Sequence, residues 1–187
     1  MDANAAPGTD GALGIAPNRE RTAIVAISTR EIESSDLCAV FEIWNEQRGT
    51  RSMPARDDLL PRRLARWLSH ISLVRVLTET NDYEFRIVGQ AHVQVYGANS
   101  QGAKLSQVTA ASPQLGGMLK ASYDTVRVQR APSAYRGVIG RDITRAQFDW
   151  VETLYLPLGA REGVDHILNV SCYGLPPSAK SLQVLPE

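Results

Sequence analysis

Apolar residues change their spacing at definite points along this chain, and those points delimit its elements. Leu37, Val40, Phe41 and Trp44 fall at i, i+3, i+4 and i+7, which predicts a helix from Asp36 to about Arg48. Ser34 or Ser35 can cap it, Asp36 complements its dipole, and Gly49 suits its stop. Beyond Pro54, Asp57 and Asp58 can cap a second, short helix in which Leu64, Trp67 and Leu68 recur at helical spacing. Ile71, Leu73, Val74 and Val76 then switch to a strand-like run. After a turn at Thr80-Asn81-Asp82, Tyr83, Phe85 and Ile87 alternate with Glu84 and Arg86, as in a half-buried strand paired with the first.

Gly89 ends that strand. Ala91 to Tyr96 reads as a short helix, and Gly97 and Gly102 break a loop before one more helical turn at Leu105 to Val108. Ser112-Pro113 is a strong helix start, and Leu115, Met118, Leu119, Ser122, Tyr123 and Val126 trace the helical face behind it. Three strands follow, at Ser133 to Ile139, Gln147 to Leu156 and His166 to Tyr173, the last two joined through a long connection at 157–163. The expected fold is therefore α+β: a five-stranded antiparallel sheet with helices on one face and an N-terminal helical extension. Residues 34–175 would form the domain. Residues 1–33, rich in Ala, Gly, Pro, Asn and Asp at their start, read as a disordered leader, and 176–187 as a loose tail. Thr22 to Thr29 fits either a short strand or an arm.

Composition narrows the function classes. The chain has 187 residues, enough for a real core, and 43% of them are apolar, which argues for a globular fold over a disordered one. Twenty basic and twenty acidic residues cancel, so bulk charge favours neither nucleic acid nor an anionic membrane. Ala23 to Ile27 is too short to span a bilayer, and no signal-peptide pattern opens the sequence. Cys38 and Cys172 are too few for a disulfide framework and lack metal-ligand spacing, so a reduced cytoplasmic location is the simplest expectation. Arg48, Arg51 and Arg56 stand beside Asp57 and Asp58 in the turn after the first helix. That pattern suits a charge-assisted brace, with anion binding as the alternative.

The segments RGTRSMPARDDLLP, FRIVGQAHVQVYGANSQGAKLSQV and TLYLPLGAREGVDHIL, in this order, resemble a bacterial PAS subfamily in which the PAS domain is nearly the whole protein. The resemblance runs from Trp44 to about Tyr173, and Gly102-Ala103 departs from the Gly-Arg expected in that loop. It implies a sensory or protein-interaction module rather than an enzyme, acting through a protein partner of a signalling pathway. It also implies a ligand cavity between the long helix, the short helices and the inner sheet face, lined by Val88, Tyr96, Met118, Ser122, Tyr135 and Trp150. A filled core without ligand is the alternative. No cofactor is assigned. A haem-binding PAS domain would carry a His on the long helix, and a light-sensing flavin one a Cys in the glycine-rich connection; neither is here.

PAS domains commonly pair through a helix ahead of the first strand, so the stripe of Leu37, Val40, Phe41 and Trp44, with Ile43 beside it, is also the expected surface of a homodimer. Intramolecular packing is the rival for the same stripe. Two further classes remain open: a structural dimerisation module without ligand, and a small isomerase or dehydratase using Asp149 or Glu152 as a base.

Overall fold

Six antiparallel strands form one sheet in the order β1-β4-β5-β6-β2-β3: β1 Ala23–Ile27, β2 Ile71–Leu77, β3 Asp82–Val88, β4 Ser133–Val138, β5 Trp150–Leu158 and β6 His166–Gly174. The helices are α1 Ser35–Arg48, α2 Pro61–Leu64, α3 Gln90–Tyr96, α4 Leu105–Ala111 and α5 Pro113–Gln129. This is a computed structural model, and it describes residues 21–59, 61–144, 150–160 and 163–174. The 176–187 tail, and the leader up to residue 20, lie outside those residues.

The five expected strands are β2 to β6, with bounds close to those the sequence pattern predicts. The sixth is β1. It pairs antiparallel with β4 from Ala23↔Val138 to Ile27↔Ala134, so the fold begins ahead of residue 34, inside the stretch expected as leader. Gly137 makes this docking tight, because a Cβ there would run into the carbonyl oxygen of Ala23. Gly137→Ala should therefore loosen β1 while the rest of the sheet stays paired. Hydrogen exchange reads this directly: the amides of Ala23–Ile27 should lose protection selectively, and unchanged protection would show that β1 docks by other means.

Register assigns every side chain to a face. Val151, Thr153 and Tyr155 of β5 share one face with Tyr135 of β4 and Asn169, Ser171 and Tyr173 of β6. Tyr123 of α5 meets Tyr155 edge-on at 5.6 Å, so the long helix covers this side. Glu152, Leu154 and Leu156 lie on the other face with Arg136, Leu168, Val170 and Cys172. There the N-terminus of α1 meets Glu152, and Trp44 donates from Nε1 to the Pro157 carbonyl at 2.9 Å. The long helix α5 thus covers one face, and the expected N-terminal helix, α1, covers the other.

That packing settles the apolar stripe of α1. Leu37, Val40 and Trp44 are buried within the chain, which corrects their expectation as dimer-interface residues. Their burial is what holds the helix on the sheet. Phe41 and Ile43 are only half-buried, and Phe41 stacks on Trp44 at 6.1 Å.

Pro157 lies in β5 itself rather than in the connection after it. Pairing with β4 stops at Ser133↔Tyr155, so this end of β5 has a free edge, where a residue without an N–H is tolerated. The Arg-rich turn is a brace, as the sequence suggests, but with fewer charged members: Arg48, Arg51 and Asp58. Arg51 pairs with Asp58 at 2.7 Å and donates to the Gln47 and Arg48 carbonyls, while Arg48 donates back to the Arg51 carbonyl. The Ala55 N–H, first, and the Arg51 guanidinium hold Asp58 below the usual carboxylate range. Arg56 forms no ion pair among the described residues and instead flanks a shallow apolar groove with Leu59, Leu64 and Leu68.

Candidate functional site

Between α5, α3 and the inner face of the sheet lies a cavity of about 330 Å³. Its floor comes from alternate residues of β5, Val151, Thr153 and Tyr155, with Ser171 of β6 and Tyr135 of β4. Its roof is one face of α5, where Met118, Ser122 and Thr125 recur at helical spacing, and Tyr96 at the end of α3 closes one side. Ile24 of β1 completes the rim next to the exposed Ala121, so the sixth strand is part of this site.

Four of the six residues expected at a ligand cavity come together here: Tyr96, Met118, Ser122 and Tyr135. Val88 lines a smaller neighbouring cavity of about 40 Å³, which also touches Tyr96, His92 and Asn169. Trp150 is the correction. It shares the Glu152 face of β5 and borders neither cavity, because the inner face is Val151-Thr153-Tyr155 and not Trp150-Glu152-Leu154. Both faces of β5 are buried, so alternation could not say which one the cavity uses. The expectation missed Thr153, Tyr155 and Ser171. The signal for them was the polar interruption of an apolar strand at Thr153, with Ser171 directly opposite in register.

Hydrogen bonds tie the floor into a small network. Thr153 Oγ1 and Ser171 Oγ are 2.8 Å apart, Ser171 Oγ donates to Asn169 Oδ1 at 3.1 Å, and Asn169 Nδ2 donates to Thr153 Oγ1 at 3.3 Å. On the helix, Ser122 and Thr125 donate to the Met118 and Ala121 carbonyls, one turn back. Burial pushes the Tyr155 phenol well above its ordinary value, so it stays protonated at any physiological pH, and Tyr96 is raised for the same reason. Tyr135 meets the Tyr155 ring edge-on at 5.7 Å.

His92 lines the smaller cavity and stacks beside Tyr96, which borders both. Its Nε2 bonds the His70 carbonyl at 2.9 Å, so that nitrogen carries the proton, and Nδ1 accepts from the Tyr173 hydroxyl at 2.9 Å. Burial depresses its pKa to about 4, against a smaller upward pull from the carbonyl, so the ring is neutral at pH 7.

Glu152 does not face this site. It lies 4% exposed on the opposite face, where it pairs with Arg136 at 2.7 Å and accepts the backbone N–H groups of Glu33 and Ser34. Arg136 also reaches Glu33 at 2.9 Å and the Glu31 carbonyl. All the lone pairs of Glu152 that the fold can use go into fastening the segment between β1 and α1, which leaves no role for it as a base. Asp149, the other carboxylate considered, lies outside the described residues.

A family model for the PAS domain matches residues 32–170. The chain belongs to the PAS domain family. No curated protein and no solved structure matched it. Within this PAS domain the matched residues begin after β1, so the strand that brings Ile24 to the cavity rim lies ahead of the family segment. PAS domains are generally sensory rather than catalytic. Among the described residues, no helix is long and apolar enough to cross a membrane.

Proposed function

We propose that this PAS domain is a cytoplasmic regulatory module that takes a small molecule into the cavity under α5 and relays its occupancy to a protein partner. One observation carries the reading: a space of about 330 Å³ remains open between α5 and the inner sheet face, far more than close packing leaves. Its walls combine aromatic rings with a few placed hydroxyls, as small-molecule sites do. Native mass spectrometry of gently purified protein tests it, because it reports bound mass and oligomeric state together. The wild type should carry a bound molecule. Met118→Trp, which fills the cavity from the roof, should lose it, or at least tenfold of its affinity, with a melting temperature within a few degrees of wild type. A wild type without bound mass, and with no thermal gain from any member of a metabolite panel, would sink the proposal.

Relay through a second copy of the chain is the narrower form of this reading. Phe41 and Ile43, half-buried on α1, are what supports it now that Leu37, Val40 and Trp44 are committed to the core. Light scattering at micromolar concentration decides it, with Ile43→Glu expected to shift any dimer to monomer. The enzyme alternative is weakened by the geometry of Glu152, which is spent on structure.

A further inference from the structure

Resting on the reading of this cavity as a ligand site, we propose that its ligand is an uncharged, ring-bearing molecule that donates a hydrogen bond, of the phenol or indole class. The first reason is charge. No Lys, Arg, His, Asp or Glu borders the cavity, and burial keeps Tyr96 and Tyr155 protonated. Two cations adjoin lining residues along the chain: Lys120, which precedes Ala121 and pairs with Asp124, and Arg136, which follows Tyr135 but belongs to the opposite face and is spent on Glu152 and Glu33. A carboxylate, phosphate or ammonium entering here would lose its water with no counter-charge to replace it. In the neighbouring cavity the one histidine, His92, is neutral as well.

Proton bookkeeping supplies the second reason. Each hydroxyl has one proton to give. Ser122 gives its proton to the Met118 carbonyl, Thr125 to the Ala121 carbonyl, and Ser171 to Asn169 Oδ1. The Thr153 proton goes either to the Val170 carbonyl or to Ser171 Oγ, and Thr153 already receives Asn169 Nδ2. All four oxygens therefore meet a ligand with lone pairs only. A ligand that brings an O–H or N–H satisfies them, and one without a donor leaves them unmet; the phenol O–H groups of Tyr96 and Tyr155 can serve a ligand's acceptor as well. The third reason is shape: Tyr96, Tyr135, Tyr155 and the Met118 thioether form walls suited to a ring.

Calorimetric titration of the full chain with five probes tests this: indole, 1-methylindole, toluene, benzoate and benzylammonium. Indole should bind at least tenfold tighter than 1-methylindole, which lacks only the donor, and the two ions should not bind detectably. Thr153→Val and, as a second variant on a different element, Ser122→Ala should each shrink the advantage of indole while leaving the affinity of 1-methylindole unchanged. Either ion binding as tightly as indole, or 1-methylindole or toluene matching it, overturns the inference and leaves the cavity reading intact. If no probe binds, native mass spectrometry decides. A charged or donor-free bound molecule overturns the inference alone, a neutral ring-bearing donor supports it, and an empty chain overturns the cavity reading and the inference together.

Discussion

Glu152→Ala should destabilise the domain by about 3–5 kcal/mol, the cost typical of breaking a buried ion pair from one side. The substitution strands three groups at once. Arg136, only 19% exposed along its side chain, keeps the more exposed Glu33 as its remaining carboxylate. The N–H groups of Glu33 and Ser34, received by Glu152 at 3.1 Å and 2.7 Å, lose their acceptor. Both lie just ahead of α1, whose Ser34 cap accepts the Leu37 N–H, so the helix loses its fastening to the sheet at the end where the chain enters it. Set against a total stability of roughly 5–15 kcal/mol, such a loss shows plainly in a urea titration. Glu152→Leu combined with Arg136→Met should recover part of it, because removing both charges spares the stranded guanidinium while the two N–H groups stay unsatisfied. A loss below about 1 kcal/mol for the single variant would mean that water replaces the carboxylate without penalty, and that this cluster does not anchor α1.

This cluster also marks where the sequence stopped being legible. Helix and strand positions followed from spacing, because Leu37, Val40 and Trp44, or Leu115, Leu119 and Val126, repeat at the period of the structure they form. Three segments in family order then gave the sheet. Which face of β5 turns inward was not readable. Covering a sheet on both sides removes the polar positions that alternation depends on, and from Val151 to Leu158 every residue is buried. Trp150 was therefore placed on the wrong face, and with it went Thr153 and Tyr155, which line the cavity. Glu152 looked like a catalytic candidate because a carboxylate amid apolar residues can signal a raised pKa. Its actual partners, Arg136 and the residues around Ser34, stand 16 and 118 positions away in the chain, and no local pattern reports such a pairing. The strand at Ala23–Ile27 was ambiguous for a related reason: five uncharged residues suit an edge strand, but only the Gly137 opposite them makes the docking specific.

Acidification should weaken the domain through His92, by on the order of 3 kcal/mol between pH 6.5 and pH 4. The folded pKa, about 4, lies below the ordinary value of 6.5. Between those values the unfolded chain binds a proton that the folded chain refuses, so falling pH favours unfolding. The contribution is complete above pH 6.5 and is lost as pH drops toward the folded value. His166, depressed first by its burial and then by Arg56, adds to the loss with the same sign. His92→Gln is the informative control, since an amide can still donate to the His70 carbonyl and accept from Tyr173 but does not titrate. Urea titrations of both proteins at pH 7.5, 6.5, 5.5 and 4.5 should give curves of stability against pH that diverge in slope below 6.5, with the wild type falling faster. Parallel slopes would show that His92 takes up its proton in the folded state as readily as in the unfolded one. The ring lines the smaller cavity, edge-on to Tyr173 at 5.8 Å and stacked at 6.4 Å beside Tyr96, which borders both cavities. A charge forced onto it must therefore disturb Tyr96 before it reaches anything else near the ligand. Loss of the bound molecule on acidification should then precede unfolding in the wild type and be absent in His92→Gln, and native mass spectra taken across the same pH series can follow both.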